Sequence, residues 1–339
     1  MKRLFVILLP LLFGACCLID DDLSVCDEEM VIFYQVQLNT ELSTQLETEL
    51  MTETEGPVRK ALERWLSPIF TDKAKDVDLR FFADESDVLR HQIQEVINDN
   101  RTSYTIRLPK ENYMHLAVAN IADDRQVRLS EVEHSKTMML RLPEEDDIHP
   151  LRTGVFSARL PMEVTDTTTR FDVKMYMVSS AVALVMDTTA CADLLNLDCY
   201  MSGGACGFTI RDSIFAYDNR CRMNMERVAV DKVSSQQPSV HRVQHSAFGN
   251  QPYACLATVC FPTEDDKQWT VTVRATLTNN RHTTTTLTIE EPLKAGTLRV
   301  ISCALTDKGE VDPEPEHDQE VGATVEMDWK EGSTIIIEL

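Results

Sequence analysis

The clearest pattern of hydrophobic and polar positions lies near the end of the chain. Apolar residues occupy alternate positions from 321 to 329, with glycine and polar residues between them. This period of two predicts a strand with one buried face. After a turn at 330–332, the short apolar segment 334–339 predicts a final strand. The two segments together predict that the sequence ends inside a β-sheet.

Similar patterns predict strands along the rest of the chain. The apolar segment 171–187 predicts one long strand or a pair of strands, with Val173, Met175 and Met177 on one face. Residues 88–98 fit either a strand or a short helix. The other predicted strands are 30–38 and 77–83, together with two hairpins, 104–108 with 113–120 and 269–277 with 283–289.

One amphipathic helix is predicted, starting at Pro57. Proline favours the first turn of a helix, and a second proline at position 68 favours its end. Apolar residues recur at helical spacing between them, which predicts that the helix covers one side of a sheet. The apolar face consists of Val58, Ala61, Leu62, Trp65 and Leu66.

The strand signals predict an all-β fold with two antiparallel β-sandwich domains and one short N-terminal helix. Residues 142–150 are acidic and contain prolines, which predicts a domain boundary. The predicted division is a signal peptide at 1–15, an acidic tether at 16–29, and domains at 30–150 and 151–339. Within the second domain, 190–222 holds four cysteines and predicts a disulfide-stapled loop region, while 230–252 predicts a long irregular segment.

The N-terminus has the pattern of a lipoprotein signal peptide. Lys2 and Arg3 precede an apolar run, and Gly14 and Ala15 directly precede Cys16. Lipoprotein processing attaches a diacylglycerol and a further acyl chain to such a cysteine, and two or three chains hold a protein lastingly on a membrane. An ordinary secreted protein is the alternative. A transmembrane helix is disfavoured because the apolar run is shorter than the roughly 20 residues that a span needs.

The first motif after the apolar run consists of Cys16, Leu18, Ile19, Asp21, Asp22, Leu23, Ser24 and Cys26. It resembles the start of the FimB-type fimbrial anchor lipoproteins of type V pili. A second resemblance follows at 77–83 and at the Leu108-Pro109 turn, Tyr113 and Asn120, and a third in the strand, Trp329, turn and final strand that end the sequence. Cys17 and Asp20 depart from the family pattern, and Phe13 departs from the usual lipobox, in which leucine is commoner.

The resemblance implies transthyretin-like sandwiches and an outer-membrane lipoprotein that anchors fimbriae, limits their growth and takes part in cell adhesion. Its partners would be fimbrial shaft pilins, joined by strand addition, and the membrane, reached through the covalent lipid. Shaft pilins are processed by an Arg-specific protease, and residues 17–58 contain no Lys or Arg. The candidate export signal is Asp20, Asp21 and Asp22, and the candidate donor or edge strand is Thr334, Ile335, Ile336, Ile337, Glu338 and Leu339.

Charge and cysteine content agree with an exported protein. The net charge of −22 becomes about −24 when Lys2 and Arg3 are removed, and such a surface disfavours nucleic acid as a partner. Ten cysteines are unusual in a reducing cytosol but ordinary in an oxidising compartment. With Cys16 lipidated and Cys17 the candidate free thiol, the disulfide candidates are Cys26, Cys191, Cys199, Cys206, Cys221, Cys255, Cys260 and Cys303, in pairings that the sequence leaves open.

Catalytic fingerprints are missing from the sequence. It contains no GxGxxG, Walker, HExxH or GxSxG motif. His241 and His245 have a helical metal-ligand spacing but follow Pro238, and the cysteine spacings differ from those of zinc ribbons. The acidic pairs at 144–145 and 265–266 would serve acid–base chemistry only in a buried cleft. We therefore predict no enzyme, cofactor or metal; the alternative to an anchor is a surface lipoprotein that binds glycans or peptides.

Overall fold

Twenty-one strands and one helix make up the described part of the computed structural model, which comprises residues 29–38, 56–70, 74–96, 103–145, 147–167, 170–218, 221–230, 252–278, 280–313, 321–328 and 335–338. The all-β class predicted from the sequence is therefore confirmed. The elements are β1 (Glu29–Leu38), α1 (Gly56–Leu66), β2 (Asp76–Ala83), β3 (Leu89–Val96), β4 (Ser103–Pro109), β5 (Asn112–Ala119), β6 (Arg128–Ser130), β7 (Met139–Arg141), β8 (Phe156–Glu163), β9 (Arg170–Met177), β10 (Ser180–Asp187), β11 (Leu194–Ser202), β12 (Ala205–Thr209), β13 (Ile214–Tyr217), β14 (Arg222–Arg227), β15 (Tyr253–Cys260), β16 (Trp269–Leu277), β17 (His282–Ile289), β18 (Leu298–Leu305), β19 (Val311–Pro313), β20 (Val321–Asp328) and β21 (Ile335–Glu338).

The first large sheet has seven strands in the order β3-β2-β5-β8-β9-β1-β4. Its strands β8 and β9 pair at only two positions, Phe156 with Met177 and Ser157 with Tyr176. Beyond those positions β8 follows β5 and β9 follows β1, so the sheet divides into two layers at this corner. β1 runs antiparallel to β4 and parallel to β9, which gives it a neighbour on both sides.

The predicted hairpin between β4 and β5 is wrong, although both strands exist. β4 pairs with β1, whereas β5 pairs with β2 and β8, so the two consecutive strands lie in different layers. The short link between them crosses from one layer to the other, and the Tyr113 hydroxyl bridges back to the carbonyl of Pro109 at 3.0 Å. Nearly all of β5 is buried, since it occupies an interior position between two neighbours.

Helix α1 confirms the helix prediction. Pro57 lies in its first turn, and the Ile69 and Phe70 amides close its end on the Leu66 carbonyl at 2.9 and 2.8 Å. Four residues of the predicted apolar face are buried in the core, and Trp65 is partly buried against it. With eleven residues, α1 is too short to cross a membrane, and the described part of the chain contains no other candidate span.

The second large sheet has ten strands in the order β19-β18-β10-β15-β14-β11-β16-β17-β20-β21. β14 changes neighbour along its length: residues 222–225 pair with β11, and residues 226–227 pair with β15. A strand that switches partners in this way turns the corner between two packed layers. The predicted hairpin between β16 and β17 is confirmed, with Trp269 opposite Ile289 and Thr276 opposite His282.

Residues 190–222 are strands rather than the predicted loop region. β11, β12 and β13 lie entirely within this segment, and β11 shows the alternating burial of a strand with one interior face. The density of glycine and cysteine favoured loops here. Gly207, however, lies inside β12, at a position where its neighbours leave little room for a side chain. A Cβ at Gly207 would lie 3.0 Å from Met139 Cε and 3.1 Å from the Leu140 carbonyl oxygen.

A third sheet joins the two sandwiches. Its order is β13-β12-β7-β6, so β6 and β7 from the first half of the chain pair with β12 and β13 from the second half. The change from the first large sheet to the second comes between β9 and β10, at residues 178–179, later than the predicted boundary at 150. The acidic segment 142–150 instead leads from β7 into β8, and Ile148 bridges to Met223 on the way.

Candidate functional site

The last strand, β21, lies at the outer edge of the ten-stranded sheet. Residues Ile335–Glu338 pair antiparallel with β20, in a register that sets Ile337 opposite Val325. An edge strand offers one unpaired row of backbone groups to another chain. Of the six residues predicted as a donor or edge strand, Thr334 and Leu339 lie outside the described residues. At the far edge of the other large sheet lies β3, whose Val96 side chain is 63% exposed.

A cavity of about 400 Å³ opens where the small sheet meets the second sandwich. β7, β12 and β13 supply its walls, together with the acidic segment after β7. Its buried lining residues include Leu142, Ile148 and Cys221. The pairing of β7 with β12 creates the wall, and the Leu142 amide extends it by donating to the Cys206 carbonyl at 2.9 Å.

The rim of this cavity is acidic. Glu144, Glu145 and Asp218 contribute three carboxylates, and Arg141 contributes one guanidinium. Glu144 and Glu145 are exposed, so they lack the buried cleft that acid–base work would require. Such a rim suits neutral polar or cationic ligands better than anions.

Tyr217 is the aromatic residue of the cavity lining. Its hydroxyl donates to the Thr263 carbonyl at 3.1 Å, which fixes the ring at the edge of the small sheet. Burial raises the pKa of the Tyr217 phenol, and the nearby negative charges of Asp265 and Glu264 raise it further. Asp265 and Asp266, the second predicted acidic pair, are themselves exposed in the turn before β16. The phenol therefore stays protonated and acts as a hydrogen-bonding group.

A buried polar cluster, the junction network, connects the first sandwich to the loop between β12 and β13. It consists of Asp87, Ser135 and Arg211. Asp87 accepts hydrogen bonds from the Ser135 amide at 3.0 Å and from the Ser135 hydroxyl, while Arg211 Nη1 lies 2.6 Å from Ser135 Oγ and 3.3 Å from Asp87 Oδ1. The sequence analysis missed this network because its members are 48 and 76 residues apart.

The junction network does not have the arrangement of a Ser-His-Asp relay. Such a relay needs the histidine between the serine and the aspartate. Here Ser135 bonds Asp87 directly, and the Nδ1 atom of His134 lies 3.1 Å from the backbone oxygen of Asp87. Desolvation alone would raise the pKa of Asp87, but the Ser135 and Lys136 hydrogen bonds and the Arg211 charge outweigh it and lower that pKa. The carboxylate therefore acts as a charged structural acceptor.

Strand β2 carries a second buried polar group. Arg80 pairs with Asp78 through Nε at 2.9 Å and Nη2 at 3.0 Å, and Gln94 adds a hydrogen bond to Asp78 Oδ2 at 2.6 Å.

His115, fully buried on β5, stacks on Phe81 with 4.3 Å between ring centroids. Burial lowers the pKa of His115 to about 4, so its ring is neutral at pH 7.

Many predicted site residues fall outside the described ranges. These are the lipidation candidate Cys16, the export candidates Asp20, Asp21 and Asp22, Cys17, Cys26, His241 and His245. Among the residues that the structure describes, no group of three or more His, Cys, Asp or Glu side chains is placed to hold a metal ion. The roles predicted for the residues outside the described ranges stay predictions.

No disulfide is present among the seven described cysteines, and the predicted pairings stay a prediction for them. Six of the seven are buried, and Cys206 is half-buried at the cavity. Burial raises the pKa of Cys255 to about 12 and that of Cys221 to about 12, so both thiols are protonated at neutral pH. These seven are Cys191, Cys199, Cys206, Cys221, Cys255, Cys260 and Cys303.

Comparison with known proteins finds similarity in structure but not in sequence. No protein-family model matches the chain, and no curated protein matches it. A candidate polysaccharide-binding protein from Bacteroides thetaiotaomicron has a TM-score of 0.53 at 10% identity, over 91% of this chain and 99% of its own. A candidate adhesin from Bacteroides ovatus has a TM-score of 0.52 at 8% identity, over 92% and 96%.

The likeness is one of fold. The fimbrial anchor protein Mfa2 from Porphyromonas gingivalis also matches, at 12% identity over 91% of this chain and 99% of its own, but with a TM-score of 0.46, which supports no argument. At identities of 8 to 10%, the two Bacteroides structures establish that the whole two-sandwich architecture recurs in other proteins. They leave this chain's partners to be inferred from its own residues.

Proposed function

We propose that this protein is an outer-membrane lipoprotein that is attached through Cys16 and anchors fimbriae at the cell surface. One observation carries the proposal: a lipoprotein-type signal sequence ending at Cys16 precedes a fold that is shared with candidate adhesins. The shared fold supports a role in adhesion at the cell surface, and the lipid would hold the protein on the membrane. The motif from Cys16 to Cys26 and its acidic residues, including Asp20, Asp21 and Asp22, support export to the outer face.

Strand addition is the proposed mode of contact with shaft pilins. The ten-stranded sheet ends in β21, which covers β20 through four residue pairs, from Thr324 opposite Glu338 to Met327 opposite Ile335. A pilin strand can add beside β21 or replace it against β20, and backbone hydrogen bonds would supply the affinity in either case. A subunit whose β20–β21 edge is filled in this way does not offer that edge to the next subunit. It would thereby end or limit the polymer.

A second candidate function is the binding of a glycan or peptide in the cavity beside β7. Two observations favour it: the cavity of about 400 Å³ lies within the usual size range of small-ligand sites, and a protein described as polysaccharide-binding shares the fold. Tyr217 would supply a stacking surface, and the acidic rim would supply acceptors for hydroxyl or ammonium groups. A panel of glycans assayed by calorimetry tests this function, and Tyr217→Ala should abolish any binding at the cavity.

The anchoring proposal is tested by replacing Cys16 with Ala in the native host. Immunoblots of cells and medium should show fimbrial subunits released into the medium, or polymers of abnormal length, because the anchor has lost its lipid. Cys17→Ala is the matched control, since it removes a neighbouring thiol and leaves the lipidated position intact. Unchanged fimbriae, with this protein alone leaving the membrane, would overturn the anchoring role and favour the binding module.

A further inference from the structure

Two cysteines of the cavity lining come close to each other: Cys206 in β12, and Cys221 directly before β14. Tyr217 in β13 is directly opposite Ala205 in β12. The Cys221 amide donates to the Asp218 carbonyl at 3.0 Å. The Sγ atom of Cys221 lies 3.7 Å from the Ala205 carbonyl oxygen. Ala205 directly precedes Cys206, and the two thiols are close enough for Cys206 to influence Cys221 electrostatically.

The surroundings of the two thiols differ from those of the other cysteines. Cys206 and Cys221 both face the cavity, and Cys206 Sγ lies 3.3 Å from the Ala216 carbonyl oxygen. Cys260 is also close enough to influence Cys221 electrostatically, but its Sγ is fully buried and lies 3.4 Å from Met201 Sδ. Of these two neighbours of Cys221, Cys206 is the one that lines the same cavity.

We propose that Cys206 and Cys221 form a disulfide in the mature protein, which fastens β12 to the residue before β14. The inference rests on the proposed export of the chain, because a disulfide persists in an oxidising compartment. The two thiols lose two protons and two electrons as the sulfur–sulfur bond forms. An external disulfide, such as that of a thiol–disulfide oxidoreductase or of oxidised glutathione, accepts them and is reduced to two thiols.

The timing of the bond follows from burial. Burial, together with the nearby Cys206 and Asp218, raises the pKa of Cys221 to about 12. A thiol with that pKa is a thiolate in only about 10⁻⁵ of molecules at pH 7, and the thiolate is the species that attacks a disulfide. The bond therefore forms more readily during folding, while Cys221 is still exposed, than in the folded protein. Once closed, it fixes the wall of the cavity that carries Ala216 and Tyr217.

Refolding tests the pairing without any need for export. The full chain is reduced, unfolded, refolded in a buffer of oxidised and reduced glutathione, and treated with N-ethylmaleimide to block the remaining thiols. Chymotrypsin cleaves after Tyr200, Phe208 and Tyr217, which separates the two cysteines from each other and from the rest. We expect peptide 201–208 linked to a peptide that begins at Asp218, with a mass two hydrogen atoms below the sum of the two.

Two variants control this experiment. Cys206→Ser should remove the linked peptide and leave Cys221 open to N-ethylmaleimide after denaturation, while Cys255→Ser, in buried β15, should leave the link unchanged. A reductant should lower the melting temperature of the wild type and of the Cys255 variant, but not that of the Cys206 variant. Recovery of both cysteines as maleimide adducts, or of Cys221 linked to Cys260, would overturn the pairing. The Cys16 experiment tests anchoring separately.

Discussion

Replacing Asp87 with Ala should destabilise the protein by about 3 kcal/mol. Ser135 is fully buried, and its amide and hydroxyl both donate to Asp87. A buried donor without a partner costs about 1–3 kcal/mol. The ion pair with Arg211, whose side chain is 21% exposed, is partly screened by water and contributes about 0.5–1 kcal/mol. Asp87 also has a φ of 55°, a backbone conformation that aspartate tolerates better than alanine.

The matched control is Asp87→Asn. Asparagine tolerates the same backbone conformation and keeps an oxygen for the Ser135 amide, so it should lose only the charge, about 1 kcal/mol. Urea unfolding of both variants and the wild type, followed by tryptophan fluorescence and circular dichroism, measures the difference. A double-mutant cycle with Arg211→Met should give a coupling energy of about 0.5–3 kcal/mol. If both Asp87 variants unfold within about 0.5 kcal/mol of the wild type, the junction network does not stabilise the fold.

The pH dependence of the same variants provides an independent check. Although desolvation opposes it, the pKa of Asp87 in the folded state is lowered below its ordinary value of 3.8 by the Ser135 and Lys136 hydrogen bonds and by Arg211. The unfolded chain therefore binds a proton first as the pH falls. The stability that Asp87 contributes is present above pH 3.8 and is lost as the pH falls through the lower folded pKa. Asp87→Asn should lack this loss, and an identical acid limb for both proteins would refute the assignment.

Two further predictions concern His115 and β21. Burial lowers the pKa of His115 from 6.5 to about 4, so the unfolded chain binds a proton first, and the free energy of unfolding should fall by about 3 kcal/mol as the pH drops from 6.5 to 4. His115→Gln should flatten this part of a plot of urea midpoint against pH. An unchanged slope would contradict the prediction. Truncation after residue 334 should uncover the β20 edge and produce concentration-dependent association on size-exclusion chromatography, which an added peptide of residues 334–339 should suppress. A truncated chain that stays monomeric and ignores the peptide would contradict that prediction.

Local patterns predicted the elements that depend on local information. α1 has both a proline start and an apolar stripe, and the β16–β17 hairpin has alternation on either side of a turn. Strand β15 was missed because its neighbours β10 and β14 both belong to distant parts of the sequence. β15 is buried at seven of its eight positions and therefore lacks the polar alternation by which a strand is recognised.

Pairing and sites were harder to predict because they depend on distant contacts. β4 and β5 are separated by two residues and still lie in different layers, so closeness in sequence did not imply pairing. The cavity brings Arg141 and Glu144 together with Asp218 across the pairing of β7 with β12. Nothing in either segment alone indicates the other. The acidic pair at 144–145 was recognised as charged, but its place on a cavity rim could not be.

The position of β1 has a mechanical consequence. Under the proposed attachment at Cys16, tension on the lipid reaches the described part of the protein at Glu29, the first residue of β1. β1 is held by β4 on one side and by β9 on the other, through residues 29–35 and 33–38. Force along the axis of an interior strand loads these hydrogen bonds in shear, so many must break together instead of opening one at a time like a zip. When a fibre is pulled, the lipid should therefore leave the membrane before β1 is pulled out of its sheet.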